Sequence, residues 1–427
     1  MSRVTSPVAT PTGSSRPVSR AGAGIGSGTA RTTLTLLVIG TIAWVGLVFI
    51  GVRLAQAGPP GVGFDLELLI EAGRKAASGS PMYSPALLAG QTVPAQSLFY
   101  SYPPFVGQLM ALIAWLPSPL VLVLWVVAAT TGLAAVGASV ARRLNPTISA
   151  MAVALPLVAF VPLVMPYAIA VLFGNFNMFF PALYGLILLA ALARPGDRRS
   201  RLIGGLALGI AAATKVHPAA LGLWFLIRGF RERRDGRRPE AWDVVLVAVG
   251  TGVALIAVSL LVAGVNPWLD YVAVVRASSG ATLLDHRNYG PAAQLALALG
   301  LGETTVRVIH GAVLAGAIGV TAWSAWARMS PVLGFGLAAI ASLVILPVTW
   351  IHYPAALLPF AVAALASART DSRYLTGLML AAGVLVFVAI ALPPLLWVGV
   401  ALVVVALVRA LAPAGREPTV PNAGAPA

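Results

Sequence analysis

Asp65 stands in the run Gly63-Phe64-Asp65-Leu66-Glu67, just past the first long apolar segment (Leu34 to Leu54) and inside a more polar stretch of about fifty residues. In a chain that is 59% hydrophobic and only 10% charged, a carboxylate beside a membrane surface is a candidate for proton-transfer chemistry. Partial burial among Phe64, Leu66 and nearby aromatic residues would raise its pKa toward the range of a working general base. The competing reading is that Asp65 caps a following helix by accepting from backbone N–H groups near Leu68.

The elements that must position this carboxylate are membrane helices. Mean hydropathy is +0.91, and the chain is a succession of Leu/Val/Ala/Ile runs, each about long enough to cross roughly 30 Å of hydrocarbon. The alternating ten-residue pattern of a membrane β-barrel is absent, so the chain reads as an all-α polytopic membrane protein. Arginines crowd into short loops, at Arg194 to Arg201 and Arg228 to Arg238, which accounts for the net charge of +15 through the positive-inside rule. Nucleic-acid binding is a poor alternative, because the basic residues lie between apolar segments rather than along one soluble face. With no cysteine, the chain holds no disulfide, thiolate or cysteine-ligated cluster.

Residues 1–31 are rich in Ser, Thr, Pro, Gly and Arg and read as a disordered cytoplasmic tail, and 412–427 as a second one. The transmembrane domain fills 32–411. Placing Arg16, Arg20 and Arg31 inside puts an outer loop at about 55–102, with a second at about 264–290. About twelve crossings follow. The region Pro103 to Ala141 must then cross an odd number of times although Pro117-Ser-Pro119 divides it into two apolar runs, so Phe105 to Leu116 is either partly re-entrant or a crossing of its own. Leu202 to Phe230 is likewise one long helix or two half-helices broken near Pro218. Residues 65–77 predict a short helix along the outer surface, with Phe64, Leu68, Leu69 and Ala72 on its apolar face and Glu67 and Glu71 solvated or paired with Arg74 and Lys75. The polar residues that topology leaves unexplained gather on the outer side, among them Asp65, Tyr102, Asn175, Asn177, Lys215, His217, Arg276, Asp285, His286, Arg287 and His352.

Several short runs occur in a fixed order: Phe64-Asp65, Glu71-Ala-Gly73, Ser80-Pro-Met-Tyr83, Tyr100-Ser-Tyr102-Pro103-Pro104, Gly174-Asn175-Phe-Asn177, Lys215-Val-His-Pro218 and Trp350-Ile-His352-Tyr353. This series resembles the polyprenol-phosphate-mannose-dependent mannosyltransferases of glycosyltransferase family 87, over about residues 33 to 410. One departure is Asn175, at a position where many relatives carry Gln. The resemblance implies the C-type glycosyltransferase fold and inverting transfer of mannose to a glycolipid or lipoglycan acceptor, with an α-1,2 linkage, on the extracytoplasmic face of the cell membrane. It implies no cofactor, and it makes Asp65 the catalytic base. A single inverting displacement needs one carboxylate, in contrast to the carboxylate pair of retaining glycosidases.

A lipid-linked donor presents a phosphodiester, which a cation would stabilise as the lipid phosphate departs. Lys215, His217, Arg276 and Arg287 are the candidates, with Lys215 and Arg287 foremost. Snorkelling of Lys215 and a loop salt bridge between Arg287 and Asp285 are the alternatives. His352, Asn175 and Asn177 are candidates for substrate hydroxyls or phosphate, against simple interfacial or capping roles. Tyr102 and His286, from the same outer group, complete the substrate-binding set. No metal site is expected: the outer side shows neither an Asp-x-Asp pair nor a His-x-x-x-His pair, and there is no Walker loop or dinucleotide fingerprint. Two other readings stand beside the mannosyltransferase: the same fold with a polyprenol-phosphate-arabinofuranose donor, and a lipid transporter or flippase.

Overall fold

The computed structural model describes residues 25–58, 61–89, 91, 99–278, 283–367 and 372–411. The two expected tails, apart from residues 25–31, lie outside it. Among the described residues every regular element is helical. The chain runs through α1 (Ile25–Gln56), the surface helices α2 (Phe64–Ala77), α3 (Pro85–Leu88) and α4 (Pro104–Ala111), then α5 (Ser118–Leu144), α6 (Ala150–Phe160), α7 (Met165–Phe173) and α8 (Phe180–Ala191). It continues through α9 (Arg198–Thr214), α10 (Ala220–Arg234), α11 (Ala241–Ala263), α12 (Asn266–Ser278), α13 (Pro291–Ala298) and α14 (Glu303–Trp326). The last elements are α15 (Pro331–Ser342), α16 (Leu358–Ser367), α17 (Ser372–Val388) and α18 (Leu395–Leu411).

Four of these helices are long and apolar enough to cross a membrane: Thr32–Gln56 within α1, α5, α11 and α14. A fifth span results if α6 and α7, bent by 72° across the turn at Val161–Leu163, count as one. The expected count of about twelve is therefore not reached by length and composition. The physical reason is that proline, glycine and asparagine interrupt the remaining apolar runs, leaving helices such as Phe180–Ala191 and Pro331–Ser342 that are too short to span alone.

Two open points of the sequence are decided by such breaks. The run after Tyr102 forms only the eight residues of α4, too short to cross, and turns at Leu116 into the single crossing α5. Leu202 to Phe230 is two helices: α9 ends at Thr214, a 3₁₀ turn follows at His217–Ala219, and α10 starts at Ala220. Close packing holds α9 on α11, since a Cβ at Gly209 would stand 2.6 Å from the Ala248 carbonyl and from the Thr251 Cβ. Small residues of this kind let helices approach where lipid offers no hydrophobic driving force between them.

The arginine loops meet at one end of the bundle. Arg143 binds Asp197 at 2.8 Å, Arg201 binds Glu240 at 2.8 Å and Asp243 at 3.3 Å, and Arg328 lies 3.9 Å from Asp235. The turn between α9 and α10 is at the other end, about 18 Å along α10 from Arg231. At that end α2 lies against α4, so closely that a Cβ at Gly73 would stand 2.7 Å from the Met110 carbonyl carbon. Its buried stripe is Leu66, Leu69, Ile70, Ala72 and Gly73, rotated from the expected one, with Phe64 and Leu68 only partly covered. The rotation is imposed by contact on two sides, with α4 and with the end of α7, in addition to the membrane surface that the sequence predicts for it. Glu71 pairs with Lys75 at 3.6 Å and Arg74 at 4.0 Å on the exposed face.

Candidate active site

Asp65 is the second residue of α2, and the helix carries no side-chain cap. Its residue before the first turn is Gly63, left-handed at φ 76°, whose N–H donates to the Leu172 carbonyl at 2.7 Å. The carboxylate is thereby turned away from its own backbone and toward the end of α7. There Gly174, also left-handed at φ 66°, ends α7 and reverses the chain against Leu66. The next residue is Asn175, whose Nδ2 donates to Asp65 Oδ2 at 2.5 Å. The capping alternative for Asp65 is thus replaced by a tertiary bond.

The Asn175 amide is fixed in one orientation. Its Oδ1 accepts from the backbone N–H of Asn177 at 2.9 Å and from Asn177 Nδ2 at 2.6 Å. A backbone N–H can only donate, so the oxygen must face Asn177 and the nitrogen must face Asp65. Lys215 Nζ donates to the same Oδ1 at 3.4 Å. One buried amide therefore joins the carboxylate to the ammonium. Lys215 reaches this point because α9 stops beneath it: it is the C-terminal flanking residue of that helix in extended conformation. Its ammonium lies over two rings, 5.1 Å from the centroid of Tyr353 and 5.5 Å from that of Tyr102.

Burial pushes the Asp65 carboxyl above its ordinary value, while the Asn175 bond and the charge of Lys215 pull it back. Such a group combines the basicity and the accessible ionised form that a general base needs. Beside it, His352 is buried, 6.4 Å from the Phe173 ring and 5.3 Å from the Tyr353 ring, and neither ring nitrogen meets a hydrogen-bond partner among the described residues. Buried polar atoms are normally satisfied, so an unpartnered imidazole facing this cluster marks a place for a polar ligand. His217 lies one layer deeper, stacked 4.7 Å from the Tyr353 ring, with Nδ1 at 3.4 Å from Tyr184 Oη. Tyr184 continues to Ser342 at 2.9 Å.

The structure thus brings Asp65, Asn175, Asn177, Lys215, Tyr102 and His352 to one end of the bundle. Arg287 and His286 lie on the loop before α13. Arg287 folds back on Asp285, with Nε at 2.9 Å from Oδ1 and Nη2 at 2.5 Å from Oδ2, and its hydrogen bonds hold the Asp285 carboxyl below the usual range. The side chain of His286 is 88% exposed, and its Nδ1 is 3.5 Å from Asp285. Asp285 is the partner that the described contacts give to both residues. What their loop does instead is hold the segment before His352: Asn288 Oδ1 accepts from Gly290 and Thr349 N–H, its Nδ2 donates to the Pro347 carbonyl, and Tyr289 N–H donates to the Thr349 carbonyl. In the sequence Tyr353 stands out only as the last residue of the run Trp350-Ile-His352-Tyr353. Its place beneath Lys215 comes from a tertiary contact that spacing along the chain does not encode.

Among the described residues no group of three or more His, Asp or Glu is gathered closely enough to hold a metal. The end of the bundle instead offers one basic carboxylate, one ammonium and an unpartnered imidazole within a wall of aromatic rings. That set fits deprotonation of a hydroxyl next to a departing anion.

Comparison with known proteins agrees with this geometry. The chain is 26% identical over 373 residues to a polyprenol-phosphate-mannose-dependent alpha-(1-2)-phosphatidylinositol mannoside mannosyltransferase of Mycolicibacterium smegmatis, covering 79% of each chain. Residues 100–347, more than half of the sequence, match glycosyltransferase family 87, so the chain belongs to that family and is a membrane glycosyltransferase.

Proposed function

We propose that the protein transfers mannose from polyprenol-phosphate-mannose to a glycolipid or lipoglycan acceptor with inversion, forming an α-1,2 linkage, at the extracytoplasmic face of the cell membrane. The observation that carries this reading is the Asn175 amide with Asp65 on its nitrogen side and Lys215 on its oxygen side. Asp65 takes the proton of the acceptor hydroxyl. The hydroxyl oxygen attacks the anomeric carbon as the bond to the phosphate oxygen breaks, and Lys215 faces the charge that gathers on the departing lipid phosphate. The choice of mannose and of the 1,2 linkage rests on the name of the Mycolicibacterium smegmatis relative. The reading takes the C-type fold with about twelve crossings, the short helices pairing to complete spans.

The test is transfer from radiolabelled polyprenol-phosphate-mannose to mannosylated lipid acceptors in membranes expressing the chain. The native protein should form a labelled glycolipid, and Asp65→Asn should lower the rate by about 10²- to 10⁴-fold while donor binding is retained. Equal rates in the two proteins would remove Asp65 from the mechanism.

A further inference from the structure

At the end of the bundle away from Asp65, a depression of about 610 Å³ opens between the end of α10 and the end of α14, lined by Arg231, Asp235, Arg237, Arg328 and Met329. Three guanidinium groups face a single carboxylate there. Asp235 does not neutralise them: Arg237 reaches it at 3.1 Å and Arg328 only at 3.9 Å, both side chains remaining well exposed at the rim. Arg231 forms the floor. It is more than nine-tenths buried, its Nη1 donates to the Ala327 and Trp326 carbonyls at 2.6 and 3.3 Å, and its Nε meets no partner among the described residues. A buried guanidinium with no carboxylate ion pair among the described residues, below two exposed ones, makes the depression a cradle for an anion.

The level of this cradle points to the kind of anion. α14, one of the long apolar spans, ends at Trp326, and α11, another, begins at Ala241. Aromatic side chains collect at the same height: Trp326 lies under Arg234 at 5.3 Å, and Trp242 packs on Phe230 at 5.1 Å. Trp326 and Phe230 are 41% and 50% exposed. Rings at the ends of spans beside arginines are the pattern of a headgroup layer. A soluble anion would use the cation cluster alone, whereas a lipid phosphate would also place its chains along these rings.

We infer that this depression is a binding site for the phosphate of an anionic membrane lipid, separate from the transfer site and independent of which sugar the enzyme moves. Lipid binding here would tie the α9–α10–α11 unit to α14, whose last carbonyls Arg231 already holds.

The experiment uses the full chain in nanodiscs of phosphatidylcholine with or without phosphatidylglycerol. Retained lipid is read by native mass spectrometry after detergent transfer. The native protein should retain phosphatidylglycerol selectively, and Arg237→Ala/Arg328→Ala should lower that retention by at least about tenfold, given the usual contribution of each arginine at an anionic surface. Arg142→Ala, an exposed arginine in the last turn of α5 at the same end, should change it little. Equal retention in the double variant, or an equal loss in Arg142→Ala, would overturn the site in favour of diffuse surface charge. Displacement by excess inorganic phosphate would overturn the lipid in favour of a soluble anion. Should the double variant misfold, Arg328→Gln alone, at a side chain 87% exposed, should give about a fivefold loss, and no loss there would sink the proposal.

Discussion

The orientation of a single amide sets the chemistry at the residue scale. Asn177 fixes the oxygen of Asn175, so the nitrogen must serve Asp65, and Lys215 completes the oxygen's shell. Replacing Asn175 by Leu leaves Asp65 without its donor and should cost about ten- to a hundredfold in the rate of transfer, whereas Asn175→Gln, which keeps both ends of the amide, should retain most of it. The ratio of the two rates is the measurement. The pH profile tests the same assignment with a defined sign. Burial raises the Asp65 carboxyl, so a base at this position is lost as pH falls through that raised value, and the acid limb should stand above that of an ordinary carboxylate. Lys215 pulls in the opposite direction. Lys215→Met should therefore move the acid limb further up, besides slowing departure of the phosphate; a limb that stays in place would mean that another group titrates.

At the scale of elements, the site depends on how α2 meets the end of α7. Gly174 has a left-handed backbone, and a Cβ there would stand 2.6 Å from the Leu66 Cβ. Gly174→Ala should cost about 1 kcal/mol in backbone strain and a further amount in displaced packing, with Asn175 moved off Asp65. Thermal unfolding and transfer rate should fall together. Leu66→Ala added to it should recover none of this loss, because alanine keeps the Cβ that stands in the way. The apolar pattern of residues 65–77 announces the helix, but its buried stripe is set by α4 and α7, both distant in sequence. The break at Lys215 was legible as an alternative because Pro218 cannot continue a helix and a lysine in an apolar run is costly.

At the scale of the whole molecule, the candidate active site and the arginine-rich loops lie at opposite ends of the bundle. Arg201 is buried at the arginine-rich end and holds Glu240 and Asp243 at the junction of α9 with α11. Arg201→Gln leaves Glu240 without its cation and Asp243 with only the exposed Arg238 at 3.7 Å. It should destabilise the protein by less than the about 3–5 kcal/mol of a fully buried pair, because both carboxylates are partly exposed. Unfolding in detergent should shift to lower temperature, while the KM for donor in the folded fraction stays unchanged, since the residue is a helix length away from Lys215. A changed KM would show that the two ends are coupled.

The class of the protein and the residues of its candidate site were legible in the sequence alone. Hydropathy is a sum over neighbouring residues, so membrane helices show themselves without tertiary information, and a carboxylate, a lysine or a histidine stands out against an apolar background because its burial is costly. The ordered short runs from Phe64-Asp65 to Trp350-Ile-His352-Tyr353 carried the family resemblance for the same reason. Tertiary structure alone decided which cation faces the carboxylate. Lys215 and Arg287 are equivalent by charge and by their place in the sequence. Arg287 has Asp285 two residues away and closes on it, whereas Lys215, set between two helix ends, reaches across to Asn175 and the rings of Tyr102 and Tyr353. Partner choice among buried charges is a matter of distances of a few ångströms between segments far apart in the chain, and no local pattern encodes it.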